Sequence, residues 1–155
     1  MTNSVQLLAI LVTAITLCAC DRTETSPVSV PPQPAISELL IQDTQIGSGD
    51  LALEHHQITV HYTGWLYDAS ANQFHGKQFD SSRGDDNNKP QPFSFNLGAG
   101  QVIPGWDQGM KGMKVGGKRT LIIPAALAYG ERGAGRGLIP KTAALIFDVE
   151  LLAVH

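Results

Sequence analysis

Two stretches of the chain alternate apolar and polar residues with a period of two. Within residues 57–67, Ile58, Val60 and Tyr62 fall on one side and Thr59, His61 and Thr63 on the other. That is the repeat of a strand with one buried face. Near the C-terminal end, Leu145, Phe147, Val149 and Leu151 alternate with Ile146, Asp148 and Glu150, which predicts a final strand. Shorter strands are expected over 37–44, 78–80, 93–97 and 117–123, the last stopped by Pro124. Gly47-Ser48-Gly49-Asp50 closes the first of these with a turn. Residues 68–77 are polar and contain Gly76, so they read as a long hairpin loop. Residues 81–92, with Gly84, the Asp85–Asn88 run and Pro90, read as a second loop. One helix is expected, from Pro104 to Met110. Proline suits a first helical turn because its missing donor would have no partner there, and Gly109 and Gly112 keep the element short. The expected class is α+β: a mainly antiparallel sheet of about five to six strands with one short helix.

Composition narrows the picture. The chain has 155 residues, 43% hydrophobic and 16% charged, enough apolar side chain to fill a core. Its 16 glycines exceed the ordinary share of about 7% and fit a fold with many tight turns. Lys plus Arg is 11 against 14 for Asp plus Glu. No strongly basic face is implied, so a nucleic-acid partner is not expected. Residues 112–118, GMKVGGK, match the first part of a phosphate-binding loop. Arg119 then stands where Ser or Thr would hold magnesium, and a strand-like run follows, so these glycines are read as a turn. His55, His56, His61, His75 and His155 are scattered and read as solvated surface. Asp85–Asn88 lacks the ligand spacing of a calcium loop. Phe95 reads as core, and Phe74, inside the 68–77 loop, has no evident role.

The N-terminal region is different. Residues 5–17, VQLLAILVTAITL, are mostly apolar, shorter than the about 20 residues a membrane span needs, and fit the apolar part of a signal peptide. The run ends Leu17-Cys18-Ala19-Cys20, which resembles a bacterial lipobox. That resemblance implies a lipoprotein signal over 1–19, cleavage before Cys20, and lipid on Cys20. Residues 20–36 then form a tether rich in proline (Pro27, Pro31, Pro32, Pro34), extended at about 3.1 Å per residue. The domain proper is expected over 37–155. Cys18 and Cys20 are the only cysteines, so the domain can hold no disulfide. The location implied is the bacterial cell envelope, on the periplasmic side and lipid-anchored: the inner membrane if Asp21 acts as a retention signal, the outer membrane otherwise.

Within the domain, seven segments occur in one order: Val60-His61-Tyr62-Thr63-Gly64, Phe79-Asp80-Ser81-Ser82, Pro92-Phe93-Ser94-Phe95, Val102-Ile103-Pro104-Gly105-Trp106, Ala128-Tyr129-Gly130, Leu138-Ile139-Pro140 and Phe147-Asp148-Val149-Glu150-Leu151-Leu152. In this the chain resembles the FKBP-type peptidyl-prolyl cis-trans isomerases. The resemblance covers nearly all of residues 39–153. It implies a twisted antiparallel sheet wrapped around one short helix, with an apolar pocket between them. Carried over position by position, the substrate-binding residues are Tyr62, Phe79, Asp80, Phe93, Val102, Ile103, Trp106, Tyr129 and Phe147. Trp106 is the implied floor, with Tyr62, Phe93 and Phe147 as walls. Tyr62, Asp80, Ile103 and Tyr129 are the implied catalytic set, the Ile103 amide and Tyr129 hydroxyl binding substrate carbonyls. The sequence departs from short members in a longer 68–77 hairpin, a longer loop after Tyr129, Gly135 at that loop's tip, and Lys141.

The activity implied is faster rotation about X–Pro bonds of exported polypeptides, assisting their folding, with no cofactor and no metal. Such rotation needs no nucleophile, and no Ser-His-Asp pattern stands out. Asp80 is expected to orient pocket groups by hydrogen bonding. Macrolides such as tacrolimus and rapamycin are expected to compete for the pocket. The chain is expected to be a monomer, because no dimerisation segment stands out. The rival reading is an envelope-tethered peptide-binding chaperone or interaction module with weak or no isomerase activity.

Overall fold

The computed structural model describes residues 36–84 and 89–155. The signal segment, Cys20, nearly all of the tether and the Asp85–Asn88 run lie outside the described residues. Six strands form one antiparallel sheet: β1 (Leu40–Gln45), β2 (Gln57–Tyr67), β3 (His75–Ser81), β4 (Phe93–Asn96), β5 (Lys118–Ile123) and β6 (Leu145–Val154). Their order is β1-β5-β6-β2-β3, with β4 also pairing β2. β2 is the spine. One edge pairs β6 from Ile58 to Leu66. The other edge pairs β4 over Gln57–Val60 and β3 over Thr63–Tyr67. One α-helix, α1 (Pro104–Gly109), lies between β4 and β5 in the chain. The six strands and one α-helix of the described residues agree with the expected class.

Strand edges differ from the sequence reading by more than one residue chiefly in β1 and β3. β1 starts at Leu40 rather than residue 37. β3 starts at His75, inside the stretch read as loop, because a short 3₁₀ turn over Asn72–Phe74 returns the chain early. The histidine reading also needs correcting. The His61 ring nitrogen bonds the Ser82 hydroxyl at 2.9 Å. The His75 ring stacks on Trp65 with centroids 4.0 Å apart. Both are partly buried rather than solvated.

The core lies on one face of the sheet. Ile58 and Val60 of β2, Phe95 of β4, Leu121 and Ile123 of β5, and Leu145, Phe147, Val149 and Leu151 of β6 pack with Trp106 and Met110 from the helical segment. The helix approaches β5 closely through two glycines one turn apart. A Cβ on Gly105 would collide with Ile123, and one on Gly109 would sit 2.7 Å from Leu121 Cδ2. Spacing of four on a helix meets spacing of two on a strand, so both contacts fall on one facing line.

Arg119 locks the far end of this layer. Its side chain is 8% exposed. Its guanidinium donates to both carboxylate oxygens of Asp43 on β1, at 2.7 and 3.0 Å. It also donates to the carbonyls of Gly109 and Lys111, at 2.7 and 3.1 Å. Helix ends leave carbonyls without partners, and here a buried cation supplies them. The position that breaks the phosphate-loop pattern therefore has a structural use.

Candidate active site

The site begins with three side chains on the core face. Tyr62 on β2 and Phe147 on β6 flank Trp106, which opens α1. Trp106 meets the Tyr62 ring edge-on with centroids at 5.0 Å and the Phe147 ring at 5.2 Å. Edge-to-face packing sets the electropositive rim of one ring against the electronegative face of another. Trp106 and Phe147 are each 4% exposed, so the base of the site is dry. Phe79 on β3 packs edge-on against Phe147 at 5.6 Å. Gly64 allows this: a Cβ there would lie 2.6 Å from the Phe147 ring and 2.8 Å from Phe79. Phe93 on β4, 40% exposed, stands at the rim, edge-on to Tyr62 at 6.2 Å.

The helix start supplies the polar part. Ile103 caps α1 with extended backbone, φ −60° and ψ 146°. Its carbonyl accepts the Trp106 and Asp107 amides, while its own N–H has no partner among the described residues. The preceding turn is held from both sides. Asp107 accepts the amides of Gly98 and Gly100 at 2.8 and 3.0 Å, and the Gln101 side chain accepts the Asn96 amide at 2.8 Å. These bonds fix where Val102 and Ile103 enter the site.

Asp80 closes the opposite side. One carboxylate oxygen accepts the Tyr62 hydroxyl at 2.7 Å, and the other accepts the Ser81 amide at 2.9 Å. Burial first, then the bond to Asp80 and its charge, push the Tyr62 phenol well above its ordinary value. Burial and the Asp80 charge also raise Tyr129, whose hydroxyl has no hydrogen-bond partner among the described residues. Tyr129 is presented by the irregular segment between two 3₁₀ turns, Ala125–Leu127 and Gly130–Arg132. Both phenols keep their protons at neutral pH and are donors there.

All nine residues named from the sequence line one cavity of about 490 Å³. Phe95 does not line it and is core, 2% exposed. Gln101 and Pro104 also line it. They flank Val102 and Ile103 in the chain, and adjacency was the available signal for them. Gly64 and Asp107 shape the site without lining it; Gly64 closes one of the segments that carry the resemblance, and no local pattern marks Asp107. Among the described residues no cluster of His, Cys, Asp or Glu could hold a metal ion. The chemistry on offer is an aromatic base in which the buried Trp106 Nε1 has no hydrogen-bond partner among the described residues, two free donors at the rim and one anchored carboxylate.

Known proteins share this sequence pattern and fold. Residues 49–152 match the family model described as FKBP-type peptidyl-prolyl cis-trans isomerase. A protein named FK506-binding protein from Neisseria meningitidis serogroup A is 51% identical over 120 residues, 77% of this chain and 99% of that protein. One of the same name from Streptomyces anulatus is 48% identical, over 76% of this chain and 87% of that protein. Among solved structures, a peptidyl-prolyl cis-trans isomerase from Pseudomonas syringae superposes with a TM-score of 0.60 at 35% identity, covering 75% of this chain and 74% of that one. FkpA from Escherichia coli superposes at 0.61 and 40% identity, over 75% of this chain and 47% of that one.

Proposed function

The chain belongs to the FKBP-type peptidyl-prolyl cis-trans isomerase family, and from that premise we propose that it accelerates rotation about X–Pro bonds in the 490 Å³ aromatic cavity. Amide resonance sets a rotation barrier of about 18–20 kcal/mol, and X–Pro bonds turn over tens to hundreds of seconds unaided. No covalent bond is made or broken. The proline ring sits on Trp106 between Tyr62, Phe93 and Phe147. The Ile103 N–H and Tyr129 hydroxyl hold carbonyls that flank the turning bond, so one side of the peptide stays fixed while the other rotates. Twisting removes amide resonance and with it part of the carbonyl's negative charge. A dry aromatic base disfavours the planar, more polar form more than the twisted one, and that difference lowers the barrier. Asp80 acts on Tyr62, holding its ring in place as a wall. A more polar cavity of about 610 Å³ shares Tyr62, Phe79, Asp80 and Phe93 and gives the flanking peptide room.

The observation that carries this reading is the pairing of a buried aromatic base with two partnerless donors, Ile103 N–H and Tyr129 Oη, in one cavity. The test is the cis–trans rate of a short X–Pro peptide with and without tacrolimus. Acceleration that tacrolimus abolishes is expected. A folded chain that gives none would leave the cavity a recognition site, as in the chaperone or interaction-module reading.

The lipid anchor at Cys20, the envelope location and action on exported polypeptides belong to the same proposal and rest on the sequence around Leu17–Cys20. Palmitate labelling of the chain and of Cys20→Ser tests them, and equal labelling of both would remove the anchor.

A further inference from the structure

The opposite face of the sheet holds a second cavity, of about 390 Å³, that the isomerase reading does not use. Strand alternation creates it. On β6, Leu145, Phe147 and Val149 join the main core, while Ile146 and Asp148 point to the other side. Ile146 is nonetheless only 1% exposed. The hairpin of residues 68–77 covers it: Phe74 and His75 line the cavity together with Ile146 and with Ile122 of β5. Two ring stacks hold the cover, Phe74 on Tyr67 at 5.4 Å and His75 on Trp65 at 4.0 Å. Its tip is strained. Gln73 and Phe74 have φ of +53° and +62°, a region that bulky residues rarely occupy. Such strain persists only where the surroundings over-determine it, and it clusters at functional sites.

The lining carries exposed polar side chains with no protein partner, and one buried ring nitrogen. The side chains of Gln42, Thr44 and Gln73 make no hydrogen bond among the described residues. The His75 Nε2 is buried with no hydrogen-bond partner, although the Asp148 carboxylate is 3.4 Å away. Two of the cations that line the cavity are already in ion pairs: Arg83 donates to Glu150 at 2.6 Å and Arg119 to Asp43 at 2.7 Å. Lys118 stands opposite Glu150 in the strand register, and Asp148 accepts the Thr120 hydroxyl at 2.6 Å.

We propose that this cavity binds a neutral polyhydroxylated ligand, a saccharide. An anion would meet two cations already held in ion pairs, one lysine, and the carboxylate of Asp148. An apolar ligand would leave the two amides and the threonine hydroxyl unpaired, which opposes binding. A peptide added as a strand at neighbouring β1 meets a register break between Asp43 and Gln45, a feature that blunts edge pairing. Sugar hydroxyls are donors and acceptors at once, as are Gln42, Gln73 and Thr44. The apolar face of a sugar ring fits Phe74 and the isoleucine floor, the usual division of a small-molecule site into apolar walls and a few polar anchors.

The test uses the two tryptophans of the chain, because Trp65 stands behind a residue that lines this cavity and Trp106 lines the other. Trp65 stacks on His75, and Trp106 lines the aromatic cavity. The full chain, ¹⁵N-labelled, is titrated separately with N,N′-diacetylchitobiose, with maltose and with an X–Pro peptide, while the two indole N–H resonances are followed. The expected result is a saturable shift of the Trp65 indole by a disaccharide with Trp106 unmoved, and the reverse for the peptide. Gln42→Ala combined with Gln73→Ala should weaken the disaccharide about tenfold and leave the isomerisation rate unchanged. The proposal fails if neither disaccharide moves Trp65 at concentrations on the order of ten millimolar, above the range of weak sites. It also fails if the double variant binds a disaccharide as well as the natural chain does, or if only the peptide moves Trp65. Failure of the isomerase reading would appear at Trp106 and in the rate, separately from these outcomes.

Discussion

Replacing Asp80 by leucine isolates the one carboxylate in the aromatic cavity. Its bond to the Tyr62 hydroxyl is 2.7 Å long and its bond to the Ser81 amide 2.9 Å. A hydrogen bond to a charged group contributes about 1.5–3 kcal/mol when fully formed. Asp80 is exposed, so the lower end applies and screening reduces it further, to about 1–1.5 kcal/mol. If that energy holds the Tyr62 ring where the twisted bond needs it, kcat/KM falls about fivefold to tenfold, at 1.36 kcal/mol per decade. The fold should survive, because the core beneath the site does not depend on Asp80. The assay is the X–Pro isomerisation rate, with a urea midpoint measured on the same samples. Because Asp80 acts through Tyr62, Tyr62→Phe and the double variant complete a cycle. Residues that share one interaction give strongly non-additive losses. Additive losses, or full activity in Asp80→Leu with its structure intact, would refute the positioning role.

Further outcomes follow from other contacts. Tyr129→Phe removes one partnerless donor and should lower kcat/KM about threefold to tenfold without moving the urea midpoint; an unchanged rate would take that hydroxyl out of the reaction. Arg119→Met leaves the Gly109 and Lys111 carbonyls unpaired and should cost about 3 kcal/mol, read as a lower urea midpoint, whereas a shift below about 0.5 kcal/mol would show that the lock is dispensable. Gly109→Ala should destabilise by about 1–3 kcal/mol through its contact with Leu121, and Leu121→Val, which removes the colliding δ carbons, should recover part of the loss in the double variant. The raised Tyr62 phenol favours the folded state only while protonated. Its contribution is therefore full below the unfolded phenol pKa of about 10 and is lost as pH rises beyond it. The fall in urea midpoint from pH 8 to pH 11 should accordingly be smaller in Tyr62→Phe, and an equal fall in both would show no such linkage.

Much of the candidate site was legible before the fold, because the segments that resemble the FKBP-type family carry its nine lining residues, while local patterns place several of them on elements. Tyr62 alternates with His61 and Thr63 on a strand, Val102 and Ile103 immediately precede a proline that opens a helix, and Phe147 lies on the inward side of the final strand. Period two and a first-turn proline are local signals, since each depends only on the covalent chain and on which side chains avoid water. The six-strand sheet and single helix follow from the same signals.

What the local pattern does not hold is which distant surfaces meet. Gly64 is recognisable as a strand residue, but only the packing of Phe79 and Phe147 shows why it has no side chain. Arg119 reads as a failed phosphate-loop position until Asp43 and the end of α1 are brought to it. The 68–77 hairpin reads as polar loop, yet Phe74 and His75 fold onto the outer face and make a cavity there. Local order is set by the alternation of side chains along one segment. These features are set by close packing between segments far apart in the chain, where a difference of one methyl group decides whether two surfaces fit.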